Sequence, residues 1–223
     1  RSTRLAIPFR SQRGASARAD GPGTRNLDAM PWGVERIEFE RALAENDRRF
    51  APRMDETGPV LAPPGSVVAT FGVSGAHLVL GGHEATLRVA AIGRGDSRRP
   101  VARNSSPEIV GAEVRTALGD GIVEWWRSLP SGIEHGVTIP ERPAGDGDLI
   151  VEIDVSGELT AHTLADDAVA LVDAGGAHVA TYEGLVVLDA AGAVVPGNMS
   201  VESGRIVLAV ADTGARYPLV VDP

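Results

Sequence analysis

The pattern of hydrophobic and polar positions changes close to Gly65. Beyond it, apolar and polar residues alternate over 149 to 155, over 206 to 210 and over 133 to 139, as expected of half-buried strands. Glycine-rich turn signals separate these runs, and no helical period falls between them. The pattern predicts roughly ten to twelve short strands in an all-β, antiparallel, sandwich-like module spanning residues 63 to 223.

Residues 1 to 62 follow a different pattern, which predicts an irregular N-terminal segment with a single helix near residues 31 to 50. Asp28 is a candidate cap, and Pro31 suits a first helical turn. We expect the helix to pack through a side that carries Trp32, Ile37 and Leu43, because an isolated helix of this length frays in water. Prolines then mark a connector into the β-rich region.

The composition argues against several classes of function. The formal charge of −9 and the pI near 5.0 argue against nucleic acid, which requires a basic surface. No cysteine is present, so disulfides and thiolate metal sites are excluded. No stretch is apolar enough to predict a membrane span. The start at Arg1 and the end at Asp222-Pro223 lead us to expect a fragment of a larger protein.

The histidines do not predict a metal site. If Gly81-Gly82 forms a two-residue turn, Leu80 pairs with His83 and His77 pairs with Thr86. His83 then shares a face with leucines, and His77 points to the opposite face.

The other three histidines are equally poor metal candidates. His135 lies on the apolar side of its strand, which favours a packing role. His162 and His178 stand alone in the sequence. Without ligand spacing, we predict no transition metal and no other cofactor.

The carboxylates and hydroxyls of the chain are weak candidates for other chemistry. Asp146 and Asp148 are weak calcium candidates at a strand end, but aspartate also favours turns for its own hydrogen bonding. No calcium-loop motif, nucleophile elbow or phosphate-binding loop is present. Paired catalytic carboxylates could be distant in sequence, and nothing selects a pair. We therefore predict that the chain is not an enzyme.

Trp125-Trp126 is the most specific local feature. Adjacent residues of a strand face opposite ways, so one indole belongs to the core and the other lies on the second face. If that second face is open, the indole is a candidate for stacking on a sugar ring or on a neighbouring domain. The alternative is that both faces of the strand are covered.

Three stretches resemble a β-rich module of secreted bacterial multidomain proteins. They are Gly121 to Trp126 with Leu129 to Thr138, Arg142 to Gly145, and the ending Asp212 to Pro223, which contains Tyr-Pro-Leu-x-x-Asp-Pro. In such proteins this ending precedes FG-GAP (integrin-like) or RHS-type extracellular repeats. The chain departs from the usual pattern at Ser128, His135 and Val137, where Asn, Gln and Phe are usual.

The resemblance implies a non-catalytic structural or interaction module, exported to the cell surface or beyond, that presents or caps a downstream repeat domain. The implied partners are the following domains of the same polypeptide, with a surface polysaccharide or protein as a further candidate. Tyr217, Pro218 and Asp222 would be structural, in a last strand near a sheet margin, since Pro218 has no N–H to donate. The alternatives are a carbohydrate-binding module, an enzyme with a site assembled across strands, and a removable pro-segment.

Overall fold

The computed structural model describes the backbone of residues 3–6 and the whole of residues 34–65, 67–95, 97–103 and 105–222. This part of the chain contains one α-helix, α1 (Val34–Glu45), and one short 3-10 helix, Arg48–Phe50. Its strands are β1 (Thr3–Ala6), β2 (Arg53–Asp55), β3 (Gly58–Leu61), β4 (Val67–Gly72), β5 (Gly75–Leu80), β6 (His83–Arg94), β7 (Arg99–Pro100), β8 (Glu108–Val110), β9 (Glu113–Ala117), β10 (Val123–Leu129), β11 (Gly132–Ile139), β12 (Leu149–Gly157), β13 (Thr160–Ala165), β14 (Ala168–Val172), β15 (His178–Gly184), β16 (Val186–Leu188), β17 (Val194–Val195), β18 (Gly197–Glu202), β19 (Arg205–Val210) and β20 (Leu219–Asp222).

The strands form two antiparallel sheets, which confirms the predicted all-β sandwich-like fold with one N-terminal helix. The first sheet runs β13-β14-β15-β1-β11-β10-β9-β8. In addition, β20 pairs with the C-terminal end of β11, β16 pairs with β20, and β17 pairs with β16. The second sheet runs β18-β19-β12-β6-β5-β4-β3-β2, with β7 beside β6. The described strands beyond Gly65 outnumber the ten to twelve predicted, because pieces as short as β7, β8, β16 and β17 are too brief to show alternation.

The inner faces of the two sheets meet in one hydrophobic core. Leu149, Val151 and Ile153 of β12 are fully buried, as their alternation predicts, and they belong to the same core as Ile133 and Val137 of β11. The core contains the inward-facing residues of nearly every long strand, so each sheet stabilises the other.

The hairpin between β5 and β6 has the predicted register. Leu80 pairs with His83 and His77 with Thr86, with Gly81 and Gly82 both at positive φ in the turn. The two histidines therefore lie on opposite faces of the second sheet.

Helix α1 lies on the outer face of the first sheet, against β10 and β11. Ile37 and Ala44 are buried there, but Leu43 is 42% exposed, so its expected packing role is wrong. The buried side of the helix is completed by Arg36 and Glu40 instead, because the sheet beneath it presents charged groups. The expected contributions of Asp28, Pro31 and Trp32 lie outside the described residues.

Two expectations about boundaries need correction. The sheet begins before residue 63, since β2 and β3 pair with each other and β3 pairs with β4. The last strand, β20, is not at a sheet margin, because β11 lies on one side of it and β16 on the other. Pro218 is tolerated because it precedes the first residue of β20, outside the ladder. Within the described residues, no helix has the length and apolar character needed to cross a membrane.

Candidate functional site

The two tryptophans of β10 are both buried, at 5% exposure for Trp125 and 1% for Trp126. Trp126 points into the core, where its ring stacks on His135 with centroids 4.0 Å apart and planes 14° apart. Trp125 points outward over Gly136, where any Cβ would come within 2.0 Å of the indole. The guanidinium of Arg41 lies 5.6 Å from the Trp125 ring centroid. Both faces of β10 are thus covered, and neither indole presents a surface to a sugar.

A chain of polar side chains crosses the core beside Trp126. His135 Nδ1 lies 2.8 Å from the Tyr182 hydroxyl, and His135 Nε2 lies 3.2 Å from Glu124 Oε1. Arg103 reaches in from the β7–β8 connection to pair with the same carboxylate. His135 is therefore a packing histidine, as predicted, but it is also part of a polar network that was not predicted.

Electrostatics in this network follow from its burial. Burial opposes ionisation of Glu124, yet the hydrogen bond from His135 and the charge of Arg103 leave its pKa below the usual value. Burial, together with the negative field of Glu124, raises the pKa of Tyr182 well above its ordinary value. A hydroxyl, an imidazole and a carboxylate in sequence resemble a proton relay. All three side chains are at most 1% exposed, so they are closed to solvent, and the group links β10, β11 and β15.

A second buried network closes one end of the sandwich. Arg94, at the end of β6, forms a bidentate pair with Asp212, and its Nη2 lies 3.2 Å from the Tyr217 hydroxyl. Arg94 also donates to the carbonyl oxygens of Pro143 (2.9 Å) and Gly147 (2.6 Å). The network ties the connection between β11 and β12 to the segment before β20.

The ionisation of this network matches its geometry. Hydrogen bonding to Asp212 raises the pKa of Arg94. Burial works against the Asp212 carboxylate, but the hydrogen bonds from Arg94 and Tyr217 hold its pKa below the usual value. Burial and the adjacent Asp212 raise the pKa of Tyr217. The pair is therefore charged and the tyrosine neutral throughout the physiological range.

A third network attaches α1 to the first sheet. Arg41 Nε lies 3.1 Å from Glu134 of β11, and its Nη2 lies 2.9 Å from Asp222 of β20. Burial lowers the pKa of Arg41, but the two carboxylates more than offset this and raise it. The preceding residue of the helix, Glu40, accepts hydrogen bonds from the backbone N–H and hydroxyl of Ser131.

The structural candidates Tyr217 and Asp222 thus each bind a buried or half-buried arginine, whereas Pro218 is exposed.

The calcium candidates Asp146 and Asp148 are exposed in the β11–β12 connection. His77 lies 3.4 Å from Glu84, and His83 lies 4.0 Å from both Glu158 and Asp173. The described side chains form no group of three potential metal ligands.

The remaining histidines have local partners. His162 contacts the Thr160 hydroxyl at 3.2 Å, and His178 contacts the Thr181 hydroxyl at 3.0 Å. Both lie at exposed positions of their strands, away from the core networks.

A groove of about 540 Å³ opens at the same end of the sandwich as Arg94. Its apolar floor includes Ile92, Leu118 and Ile122. The β9–β10 turn, the β6–β7 segment and the β11–β12 connection form its walls, so both sheets contribute. Charged residues from each of these segments line it, namely Asp120, Arg99, Glu141 and Arg142. Two further grooves lie beside Arg88 and Arg205, and beneath the end of α1.

Comparisons with protein-family models, with curated proteins and with solved structures found no match to this chain. The family resemblance therefore stays a prediction.

Sequence reasoning missed Arg94, Arg103 and Glu124, and of the three Glu124 carries a signal in the sequence. It alternates with Trp126 on the inward side of β10, and a charged residue in phase with core positions indicates a buried ion pair. Arg94 carries no such signal, because the register of β6 shifts opposite Glu152 and Ile153, which puts Arg94 out of phase with Leu87 and Val89. Its partner was not deducible either, because Asp212 is 118 residues from Arg94.

Proposed function

We propose that this chain is a non-catalytic structural and interaction module of an exported bacterial protein, which presents or caps an adjoining extracellular repeat domain. The observation that carries the proposal is that the side chains best suited to catalysis are buried in the core. Glu124, His135 and Tyr182 are sealed in the core, where they link β10, β11 and β15. Side chains of these types act in catalysis when they face a cleft that holds substrate; here they serve packing.

The attachment of the last strand supports the presenting role. Asp212 and Tyr217 are bound to Arg94 before β20, and Asp222 is bound to Arg41 at its end. β20 itself is hydrogen-bonded on both sides. A strand held in this way stays fixed relative to the body of the domain, so a domain joined or docked beyond it would be held in a defined orientation.

The nucleotide sequence downstream of the Pro223 codon, together with the location of the gene product, tests this function. We expect an in-frame extracellular repeat domain and recovery of the product from the medium or the cell surface. A stop codon directly after Pro223, or a product retained in the cytoplasm, contradicts the proposal.

A further inference from the structure

The groove at the Arg94 end of the sandwich has a floor of Ile92, Leu118 and Ile122. It is lined by charged side chains that form no ion pair and no hydrogen bond with the described residues. Most described arginines form ion pairs with a carboxylate within 4.0 Å. Among the side chains that the structure describes, Arg99 and Arg142 form no such pair and no hydrogen bond, although both line this groove. Arg142 only contributes, at longer range, to the lowered pKa of Asp212.

The two carboxylates of the same groove are also unused. Asp120 and Glu141 have neither an ion pair nor a hydrogen bond to any described group. Asp120 also adopts a positive φ of 50° between two glycines, a conformation that is uncommon outside glycine. The groove thus places two free positive and two free negative groups around an apolar floor.

Hydrogen bonds and close contacts connect the walls of the groove. Arg94 fixes the β11–β12 connection through its hydrogen bonds to Pro143 and Gly147. A Cβ on Gly145 would lie 3.1 Å from Arg94 Cβ, and one on Gly121 would lie 3.0 Å from the Pro140 ring. These close contacts join the β11–β12 connection to the end of β6 and to the β9–β10 turn, as expected of a preformed groove.

The lining selects one class of ligand. Nucleic acid or an acidic polysaccharide would set its anions against Asp120 and Glu141. A neutral sugar would leave all four charges unpaired, and the described lining contains no aromatic side chain for stacking. A peptide offers an apolar side chain for the floor and charges of both signs for the rim. The volume of about 540 Å³ suits a few residues, since small-ligand sites span about 300–1,000 Å³.

We infer that this groove binds a short peptide segment with one apolar side chain flanked by an acidic and a basic residue. The inference rests on the proposed interaction role and specifies its partner chemistry. Arg99 and Arg142 bind the acidic residue, Asp120 and Glu141 bind the basic residue, and the floor takes the apolar side chain.

Titration of the full chain with end-blocked tripeptides, followed by amide chemical shifts, tests the inference. The probes are Glu-Leu-Arg, Arg-Leu-Glu, the uncharged Gln-Leu-Gln and the floor-less Glu-Gly-Arg, each to about 10 mM, because so small a ligand binds near the millimolar range. We expect saturable shifts around Asp120 and Glu141 with at least one charged leucine peptide, and at least about tenfold weaker binding of the last two probes.

Variants provide the matched control. The double variant R99Q/R142Q should weaken binding at least about tenfold, whereas R48Q/R53Q, which removes two other unpaired arginines outside the groove, should leave it unchanged. If R99Q/R142Q does not fold, D120N/E141Q replaces it, with the same expectation. Equal binding by the groove variant and the control variant overturns the inference.

The remaining outcomes also decide the question. Absence of shifts in the groove with every peptide overturns the inference, as do shifts there with maltotriose alone. Peptide-induced chemical shift changes that map to another surface contradict the inference that this groove is the binding site, but they are compatible with the proposed interaction role. The coding sequence beyond Pro223 tests the presenting function separately, so the two proposals can fail independently.

Discussion

The two outer surfaces of the sandwich use ion pairs in contrasting ways. On the covered face, formed by the outer side of β10, β11 and β20 beneath α1, Arg41 joins Glu134 and Asp222, whose side chains are at most 5% exposed. On the open face, formed by the outer side of β6, β12 and β19, Arg88 and Arg205 both pair with Asp154. Those two arginines are 47% and 48% exposed.

The difference shows what a charge contributes in each setting. An exposed pair gains little, because water solvates the separated ions almost as well. A buried pair also gains little over apolar packing, but removal of one partner strands the other charge away from water. The covered face therefore favours a helix that places a positive charge where Arg41 lies, between Glu134 and Asp222.

The largest effect should come from the fully buried pair that closes the sandwich end. Replacing Arg94 with Ala leaves Asp212 without its main partner, and it leaves the carbonyl oxygens of Pro143 and Gly147 without the hydrogen bonds that Arg94 donates. We expect a loss of about 3–5 kcal/mol in the free energy of unfolding, measured by denaturant melts. A loss below about 1 kcal/mol would show that this network resembles the open face rather than the covered one.

The tryptophans give the next comparison. Truncation of Trp126 to Ala leaves a cavity in the core, and we expect it to lower the free energy of unfolding by about 3–5 kcal/mol. Trp125 is buried beneath Arg41 rather than between the sheets, so its truncation should cost less, but still more than about 1 kcal/mol. A negligible loss for Trp125 in urea melts would mean that α1 does not cover it in solution.

These examples also show how far the sequence was informative. The register at Gly81-Gly82 and the inward position of His135 follow from local rules, turn length and alternation, and both were predictable. Coverage of Trp125 was not, because it depends on Arg41, which is far from β10 in sequence. The position of β20 was also unpredictable, since the two-residue strand β17 and the three-residue strand β16 that extend the sheet past it leave no pattern.

Acid should weaken the sandwich through Asp212 more than through Asp154, because the Asp212 side chain is 1% exposed and that of Asp154 is 24% exposed. Both carboxyls have a lowered pKa in the folded protein, so their stabilisation is complete above the unfolded value near 3.9 and is lost as the pH falls through the folded value. We expect D212N to flatten the fall in stability below about pH 4 clearly, and D154N only slightly. Melts at stepped pH measure this, and identical acid profiles for the two variants would contradict it.

The smallest effect belongs to the open face. Replacing Arg88 with Ala should cost no more than about 1 kcal/mol at low salt, because the guanidinium is largely solvated. In about 1 M salt the cost should approach zero, since exposed charges are screened there. Melting temperatures at the two salt concentrations check this. A cost that persists in high salt would indicate that Arg88 acts through packing rather than charge.

Double-mutant cycles on one pair from each face test the contrast most directly. The cycles combine Arg41→Ala with Asp222→Asn on the covered face, and Arg88→Ala with Asp154→Asn on the open face, with unfolding free energies as the readout. We expect a coupling energy above about 1.5 kcal/mol for the covered pair and below about 0.5 kcal/mol for the open pair. Equal coupling energies would contradict the account.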